Sequence, residues 1–197
     1  MTYRLGLTGS IGMGKSTTAQ MFADEDVPVW DADATVHKLY AAGQPAMVAI
    51  GRLLPSAVVD GRISRQCLRS LIAADPANLD LIQNIVHPLV AADRSDFLAS
   101  HPQDIVVLDI PLLYETKADA LCDGVVVVTA PAAVQRARVL SRGQMSEADF
   151  DLILARQMPD AEKRARASWV IETLSPDVAR RAVKSIVAEI RQRIAHA

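Results

Sequence analysis

The chemically richest segment of the chain lies near its start, where residues 9–16 fit the pattern G-x-x-x-x-G-K-[ST]. The segment follows an apolar run and precedes a helical stretch, so its backbone N–H groups converge at the positive end of a helix and form a cradle for phosphate oxygens. Lys15 is expected to reach the β and γ phosphates, and Ser16 offers a hydroxyl to Mg²⁺. The motif predicts binding of ATP or GTP. The residues predicted to hold the nucleotide are Gly9, Ser10, Ile11, Gly12, Met13, Gly14, Lys15, Ser16 and Thr17.

Two carboxylates, Asp31 and Asp33, follow the next apolar run, at the end of a predicted strand. We predict that Asp33 accepts the proton of an acceptor hydroxyl, or orients that hydroxyl for in-line attack. The alternative role is capping of the helix that follows, which accounts for one of the two carboxylates.

A third carboxylate, Asp109, ends a strongly apolar run and is followed by the turn Ile110-Pro111-Leu112. This is the position at which other P-loop proteins carry an acidic residue near the metal, so Asp109 is predicted to hold Mg²⁺, either directly or through water. Capping of the turn is the alternative. Leu112 belongs to an apolar, proline-broken turn that is suited to line a pocket.

These residues require a scaffold of alternating strands and helices, and short β-branched runs do alternate with long helical stretches. Nearly continuous apolar character indicates strands that are covered on both faces. The sequence therefore predicts an α/β chain with the three-layer α/β/α fold of P-loop NTPases, built on a five-stranded parallel sheet. The predicted strands are Tyr3 to Thr8, Val27 to Trp30, Ile105 to Asp109, Gly124 to Thr129 and Trp169 to Glu172.

Residues 33–100 show helical periodicity without a convincing strand, so they predict a helical insert that holds the acceptor. The periodicity is interrupted at Gly43, Pro55, Gly61, Pro76 and Pro88.

A helix is predicted from Pro131 to Arg142, and an Arg-rich stretch from Ser141 to Arg166 is predicted to form a mobile lid. The tail from Pro176 to Ala197 predicts an amphipathic helix whose apolar stripe is Ala179, Val183, Ile186, Val187, Ile190 and Ile194.

Composition narrows the class of protein. A hydrophobic fraction of 50% predicts a packed core, and a formal net charge of −2 excludes the global positive field typical of nucleic-acid binding. Cys67 and Cys122 show no disulfide or zinc spacing, and both are predicted to be buried thiols. The first residues lack the pattern of a signal peptide, and no apolar run is long enough to span a bilayer, so we expect a cytoplasmic protein without a membrane partner. Nothing in the sequence indicates an oligomeric state.

Beyond these patterns, the chain resembles the dephospho-CoA kinase family over nearly its whole length. Gly6 to Ser16 and Asp31 to Asp33 are followed in family order by the segment from Gly61 to Arg65 and by Leu68. The later matches, again in order, are His87-Pro88, Asp109 to Glu115, Gln135 with Arg138 and Arg142, and Gln157.

The resemblance implies an ATP- and Mg²⁺-dependent kinase that phosphorylates the ribose 3′-hydroxyl of dephospho-CoA, with Asp33 beside that hydroxyl. It implies that Arg65 and His87 lie near this substrate, and Leu112 is included with them as a candidate contact. Arg138 and Arg142 are four residues apart, so we expect both to face one anion, and the resemblance places Arg142 in a lid over ATP. Together with Lys15, Arg142 is predicted to be catalytic.

The predicted organisation is a single P-loop kinase domain over residues 1–197. Its core is residues 1–32, 101–135 and 167–197, the insert that binds dephospho-CoA is 33–100, and the lid is 136–166. Two departures from the family are Ser168, in place of an Asp, and Glu172 or Thr173, in place of an Asn, which puts base contacts by this segment in doubt. Met13 replaces a small residue, and its side chain is expected to point away from the phosphates.

Two other functions fit part of the sequence. Another nucleoside or nucleotide kinase would share the phosphate cradle and the lid, but not the combination of Asp-Ala-Asp, His-Pro and Asp-Ile-Pro-Leu-Leu. A nucleotide-dependent switch would share the cradle alone and would turn over little acceptor.

Overall fold

A computed structural model describes residues 2–143 and 145–196, and it divides into two compact units. One unit is the segment Asp31–Ser100, and the other is made of the described residues on either side of that segment. No helix in the described part of the chain is both long and apolar enough to cross a membrane.

The secondary structure consists of short strands and nine α-helices within the described residues. The strands are β1 Tyr3–Thr8, β2 Val29–Asp31, β3 Val58–Val59, β4 Arg62–Ile63, β5 Ile105–Asp109, β6 Gly124–Thr129 and β7 Trp169–Glu172. The helices are α1 Lys15–Ala23, α2 Ala32–Leu39, α3 Pro45–Leu53, α4 Arg65–Ala74, α5 Ala77–Ser100, α6 Ala132–Leu140, α7 Glu147–Ala155, α8 Asp160–Arg166 and α9 Pro176–Ala195.

A five-stranded sheet in the order β2-β5-β1-β6-β7 is the centre of the first unit. Strand β1 pairs in parallel with both β5 and β6, so that Leu5 lies opposite Val107 on one side and Gly124 on the other. Every residue of β5 is buried, as expected for a strand covered on both faces. The predicted α/β fold with a five-stranded parallel sheet is confirmed.

Helix α9 supplies much of the cover of this sheet. Five residues of its predicted stripe are buried, and Ile194 packs against the same core while partly exposed. Helix α9 also packs on α1, the helix that opens at Lys15. The phosphate-binding motif is therefore anchored to the main hydrophobic core of this unit.

The second unit, Asp31–Ser100, has its own core, formed by Leu39, Ala46, Ile50, Ala57, Ile63, Leu68, Ile82 and Val86. The prediction that it lacks strands is wrong, because β3 and β4 pair as a short antiparallel hairpin. Asp60 and Gly61 connect them with φ of 49° and 72°, the left-handed pair that a two-residue hairpin turn requires. Gly61 is thus a turn residue between two strands rather than a break between helices.

Two helix boundaries and the burial of the two cysteines also differ from the prediction. Helix α5 continues through Pro88, so this proline does not end the helix although it lacks a backbone N–H. Helix α6 ends at Leu140, two residues early, since Gly143 adopts φ of 66° and its N–H bonds the Leu140 carbonyl. Cys67 and Cys122 form no disulfide bond among the described residues, and both are only half-buried rather than buried as predicted.

Candidate active site

The phosphate-binding segment forms a tight turn between β1 and α1. Gly12 and Gly14 have φ of 77° and 87°, a region that residues with a side chain rarely adopt. A Cβ atom on Gly12 would also lie 2.6 Å from a methyl group of Val139. The turn therefore depends on glycine at both positions.

Two glutamine side chains hold the turn in place from outside. The amide of Gln135 donates to the Ile11 carbonyl at 2.7 Å, and the Ile11 N–H donates to Oε1 of Gln157 at 3.1 Å. Met13 is buried in the core, where its sulfur accepts the Ala130 N–H. The Ser10 hydroxyl is buried without a hydrogen-bond partner among the described residues.

Lys15 and Asp109 form a close ion pair, in which Nζ of Lys15 contacts Oδ1 of Asp109. Asp109 is 1% exposed, so its charge lies in a site of low polarity where the lysine is its counter-ion. Lys15, which is predicted to bind phosphate, and Asp109, which is predicted to bind the metal, therefore lie in direct contact. Ser16 and Thr17 are exposed residues in the first turn of α1.

A cavity of about 390 Å³ lies against the turn. The predicted nucleotide residues that line it are Gly12, Gly14, Thr17, Arg138 and Arg142. Gly9, Ser10, Ile11, Met13, Lys15 and Ser16 do not line it. The cavity thus gathers the second half of the loop and both candidate arginines, although Arg142 follows the end of α6 and does not share a helical face with Arg138.

Arg138 is held by Thr173, a contact that the sequence did not predict. One guanidinium nitrogen donates to Oγ1 of Thr173 at 2.9 Å and another to its carbonyl at 2.6 Å. The Thr173 hydroxyl in turn donates to the carbonyl of Met13 at 2.8 Å. A single hydroxyl therefore joins Arg138 to the phosphate-binding turn.

Replacing Thr173 by valine is expected to raise the dissociation constant for a nucleoside triphosphate about ten-fold, or about 1.4 kcal/mol, because the hydroxyl link is lost at nearly constant shape. Calorimetric titration with ATP measures this change. Thr173→Ser keeps the hydroxyl and should bind as the parent protein does. Equal affinities for the valine and serine variants would contradict this role for Thr173.

Ser168, one of the two departures from the family pattern, has a structural role. Its hydroxyl accepts the Val125 N–H at 3.1 Å, and its own N–H donates to the Val125 carbonyl at 2.9 Å. Ser168 thus connects β7 to β6 and does not line the cavity. The other departure is the replacement of the family Asn by Glu172 or Thr173. Of these two residues, Thr173 lines the cavity and Glu172 does not.

The turn after β5 carries Leu112, which is 41% exposed, whereas Leu113 and Tyr114 belong to the core. The next residue, Glu115, forms an ion pair with Lys163 of α8, at 2.8 Å between Oε1 and Nζ. Lys163 is fully buried, and Glu115 also accepts the Met158 N–H. This pair ties α8, in the predicted lid, to the segment that begins at Asp109.

Replacing Glu115 by glutamine is expected to lower the free energy of unfolding at pH 7 by about 3 kcal/mol, because it leaves the buried charge of Lys163 unpaired. Burial raises the pKa of Glu115, but Lys163 and the Met158 N–H outweigh burial and leave that pKa below its ordinary value of 4.5. The stabilising effect is therefore complete above pH 4.5 and is lost as the pH falls through the lowered pKa.

Chemical denaturation at several pH values tests this expectation. The difference between the parent protein and Glu115→Gln should shrink below pH 4.5. Glu25→Gln is the matched control, because Glu25 pairs with the exposed Lys184 at 3.4 Å and should contribute little. A difference that stays constant from pH 7 to acid would rule out the ion pair as its source.

In the second unit, the two carboxylates of Asp31-Ala32-Asp33 have separate roles. Oδ1 of Asp31 accepts the Ala34 N–H at 2.9 Å and caps α2. Asp33 lies in the first turn of the helix, exposed and without a hydrogen-bond partner among the described residues. Helix capping therefore accounts for Asp31 and leaves Asp33 available.

Arg65 and His87, the other predicted substrate residues of this unit, do not line the same cavity. Arg65 is the first residue of α4 and lines a cavity of about 210 Å³, whereas His87 is exposed on α5 and does not line that cavity. The structure thus does not bring these two residues to one cavity.

Among the described residues, no group of three or more His, Cys, Asp or Glu side chains is placed to hold a metal ion. Ser16 and Asp109 are the two oxygen donors that the sequence predicts for Mg²⁺. A pair of protein donors suits this ion, which keeps several waters and takes other oxygens from nucleotide phosphates.

Comparison with known proteins places the chain in a family. The sequence model of the family described as dephospho-CoA kinase matches residues 3–176. A dephospho-CoA kinase of Cereibacter sphaeroides is 58% identical over 190 residues, which is 96% of each chain. One of Ruegeria pomeroyi is 54% identical over 197 residues and covers both chains completely.

Solved structures agree in fold. The crystal structure of TT1252 from Thermus thermophilus has a TM-score of 0.81 at 33% identity, covering 95% of this chain and 97% of that one. A dephospho-CoA kinase from Campylobacter jejuni has a TM-score of 0.64 at 20% identity and covers 96% and 97%, which shows the shared fold. The match of the family over most of the chain, with relatives above half identity, establishes that this protein belongs to the dephospho-CoA kinase family.

Proposed function

We propose that the protein transfers the γ-phosphoryl group of ATP to the ribose 3′-hydroxyl of dephospho-CoA, giving CoA and ADP, the last step of CoA biosynthesis. The observation that carries this proposal is a built phosphate-binding turn in a chain that is 58% identical to a dephospho-CoA kinase. Kinases of this family use ATP as the phosphoryl donor.

The turn at residues 9–17 is suited to the triphosphate. Gly12 and Gly14 hold a backbone conformation in which N–H groups approach an anion closely, and the buried hydroxyl of Ser10 has no partner within the described part of the chain. A triphosphate would compete with Asp109 for the ammonium group of Lys15. Arg142, at the cavity beside the turn, supplies further positive charge for the transferring group.

Mg²⁺ would be held beside the same turn by Ser16 of the turn and by Asp109 at the end of β5, which contacts Lys15. When bound, the ion neutralises charge that develops on the phosphate oxygens. This chain's own side chains position the reacting groups. Lys15 orients the β and γ phosphates, and Asp33 orients the acceptor hydroxyl and takes its proton as the new O–P bond forms.

The proposal is tested by incubating the purified protein with Mg-ATP and dephospho-CoA and following CoA by mass. We expect equal amounts of CoA and ADP, with the new phosphate on the 3′ oxygen. ATP binding without CoA formation would favour the nucleotide-dependent switch instead. Phosphorylation of ordinary nucleotides in preference to dephospho-CoA would favour a different kinase.

A further inference from the structure

A second cavity lies wholly within the insert unit. It has a volume of about 210 Å³ and is lined by His37, Tyr40, Ala41, Arg62, Ile63 and Arg65. Cavities that enclose a drug-sized ligand are larger, roughly 300–1,000 Å³. This one is suited to a single group of a larger molecule.

The cavity is positively charged and its charges are not neutralised. Neither Arg62 nor Arg65 forms an ion pair with a carboxylate among the described residues, and none of the residues that line the cavity is acidic. In the same unit Lys38 does pair, with Asp93 at 2.9 Å. Two guanidinium groups at one cavity repel each other unless an anion lies between them, so the arrangement favours an anionic ligand.

Two neighbouring backbone elements bring the arginines to this cavity. Arg62 is held by the β3–β4 hairpin, and Arg65 is the first residue of α4, after the cap formed by Ser64. The positive end of the α4 dipole adds to the potential. Burial raises the pKa of the Tyr40 phenol and nearby Arg65 opposes the rise, so that at neutral pH the phenol is protonated and can donate a hydrogen bond.

The cavity also has a defined relation to Asp33 along one helix. His37, which lines the cavity, follows Asp33 by four residues on α2, so both side chains lie on one helical face about 6 Å apart along the axis. Both residues are exposed. One face of α2 therefore presents the candidate base and, one turn later, a residue that lines the cavity.

We propose that this cavity binds the diphosphate bridge of dephospho-CoA, with Arg62 and Arg65 as its cationic ligands and His37 and Tyr40 as further hydrogen-bond donors. The inference rests on the proposed function and adds a subsite to it. In dephospho-CoA the 3′-hydroxyl and the 5′-diphosphate are carried by the same ribose. A diphosphate seated one helical turn from Asp33 therefore brings the 3′-hydroxyl to that carboxylate and leaves the pantetheine arm outside the cavity.

The test is steady-state kinetics of CoA formation for Arg62→Ala and for the double variant Arg62→Ala with Arg65→Ala. We expect the KM for dephospho-CoA to rise about ten- to hundred-fold in Arg62→Ala and further in the double variant, since charged hydrogen bonds are lost. The KM for ATP should stay within two-fold. Arg52→Ala, which removes an exposed arginine of the same unit outside the cavity, is the matched control and should behave as the parent.

Salt dependence separates a diphosphate contact from a contact to an uncharged part of the acceptor. In the parent protein the KM for dephospho-CoA should rise with sodium chloride concentration, and this rise should be weaker in Arg62→Ala. An unchanged KM in Arg62→Ala, or a raised KM with the salt dependence of the parent, would overturn the assignment. Both results presuppose that the parent forms CoA, whereas a parent protein that forms none would instead refute the proposed function.

Discussion

Replacing Lys15 by alanine is expected to lower kcat/KM for CoA formation by about a thousand-fold, equivalent to about 4 kcal/mol of transition-state stabilisation. The lysine is the cation of the phosphate-binding turn that contacts the buried carboxylate of Asp109. Its ammonium group is proposed to stabilise the negative charge on the β and γ phosphates during transfer. Initial rates over a range of both substrates measure the effect.

Two further variants show whether this loss is specific. Lys184→Ala removes an exposed lysine on α9 and should leave the rate unchanged. Lys15→Arg keeps the charge but replaces a compact ammonium group by a planar fork, so it should recover only part of the activity. Because Lys15→Ala also leaves Asp109 without this counter-ion, its melting temperature is measured alongside. A folded Lys15→Ala protein with a rate near that of the parent would contradict the role of Lys15.

Replacing Asp33 by asparagine is expected to lower kcat by about a hundred- to ten-thousand-fold while leaving the affinity for ATP unchanged. The amide keeps the size of the side chain but cannot accept the proton of the acceptor hydroxyl. Rates of CoA formation and calorimetric titration with ATP separate the two effects.

The neighbouring aspartate provides a matched control. Asp31→Asn makes the same chemical change two residues away, and asparagine caps a helix about as well as aspartate does. Asp31→Asn should therefore stay within a few-fold of the parent rate. Equal losses in the two variants would indicate that the segment acts through structure and not through a base at Asp33.

The strands of the main sheet were predictable from the sequence because each is a short apolar run that is buried on both faces. Four of the five strands that were predicted begin and end where expected, and β2 is displaced by one or two residues. The β3–β4 hairpin was missed because two-residue strands carry almost no periodic signal. Its Asp60-Gly61 turn was the available clue.

The phosphate-binding turn was predictable for a different reason: its chemistry is local and depends on a few adjacent residues. Contacts between distant residues were not predictable in this way. Glu115 and Lys163 are 48 positions apart, and the residues next to each of them in the sequence do not indicate the other as its partner. The link between Arg138 and Thr173 likewise joins α6 to the residue that follows β7, 35 positions later in the chain.

In the insert, residues in local motifs were predictable, whereas residues brought together by folding were not. Asp33 and Arg65 were selected from motifs, but Arg62, in the same motif as Arg65, was not assigned a role. Its position at the cavity that His37 and Tyr40 also line becomes visible only in the folded structure, where the hairpin brings it there. The available signal in the sequence was the pair of basic residues Arg62 and Arg65, which follow a predicted break in periodicity, with Arg65 at the start of a helix.

A crystal structure with dephospho-CoA and a non-hydrolysable ATP analogue is the most direct test of the central claim. We expect the triphosphate to lie on the backbone N–H groups of residues 9–17, with the ribose 3′-hydroxyl within hydrogen-bond distance of the Asp33 carboxylate. A nucleotide bound away from that turn, or a 3′-hydroxyl that faces some other group, would contradict the mechanism.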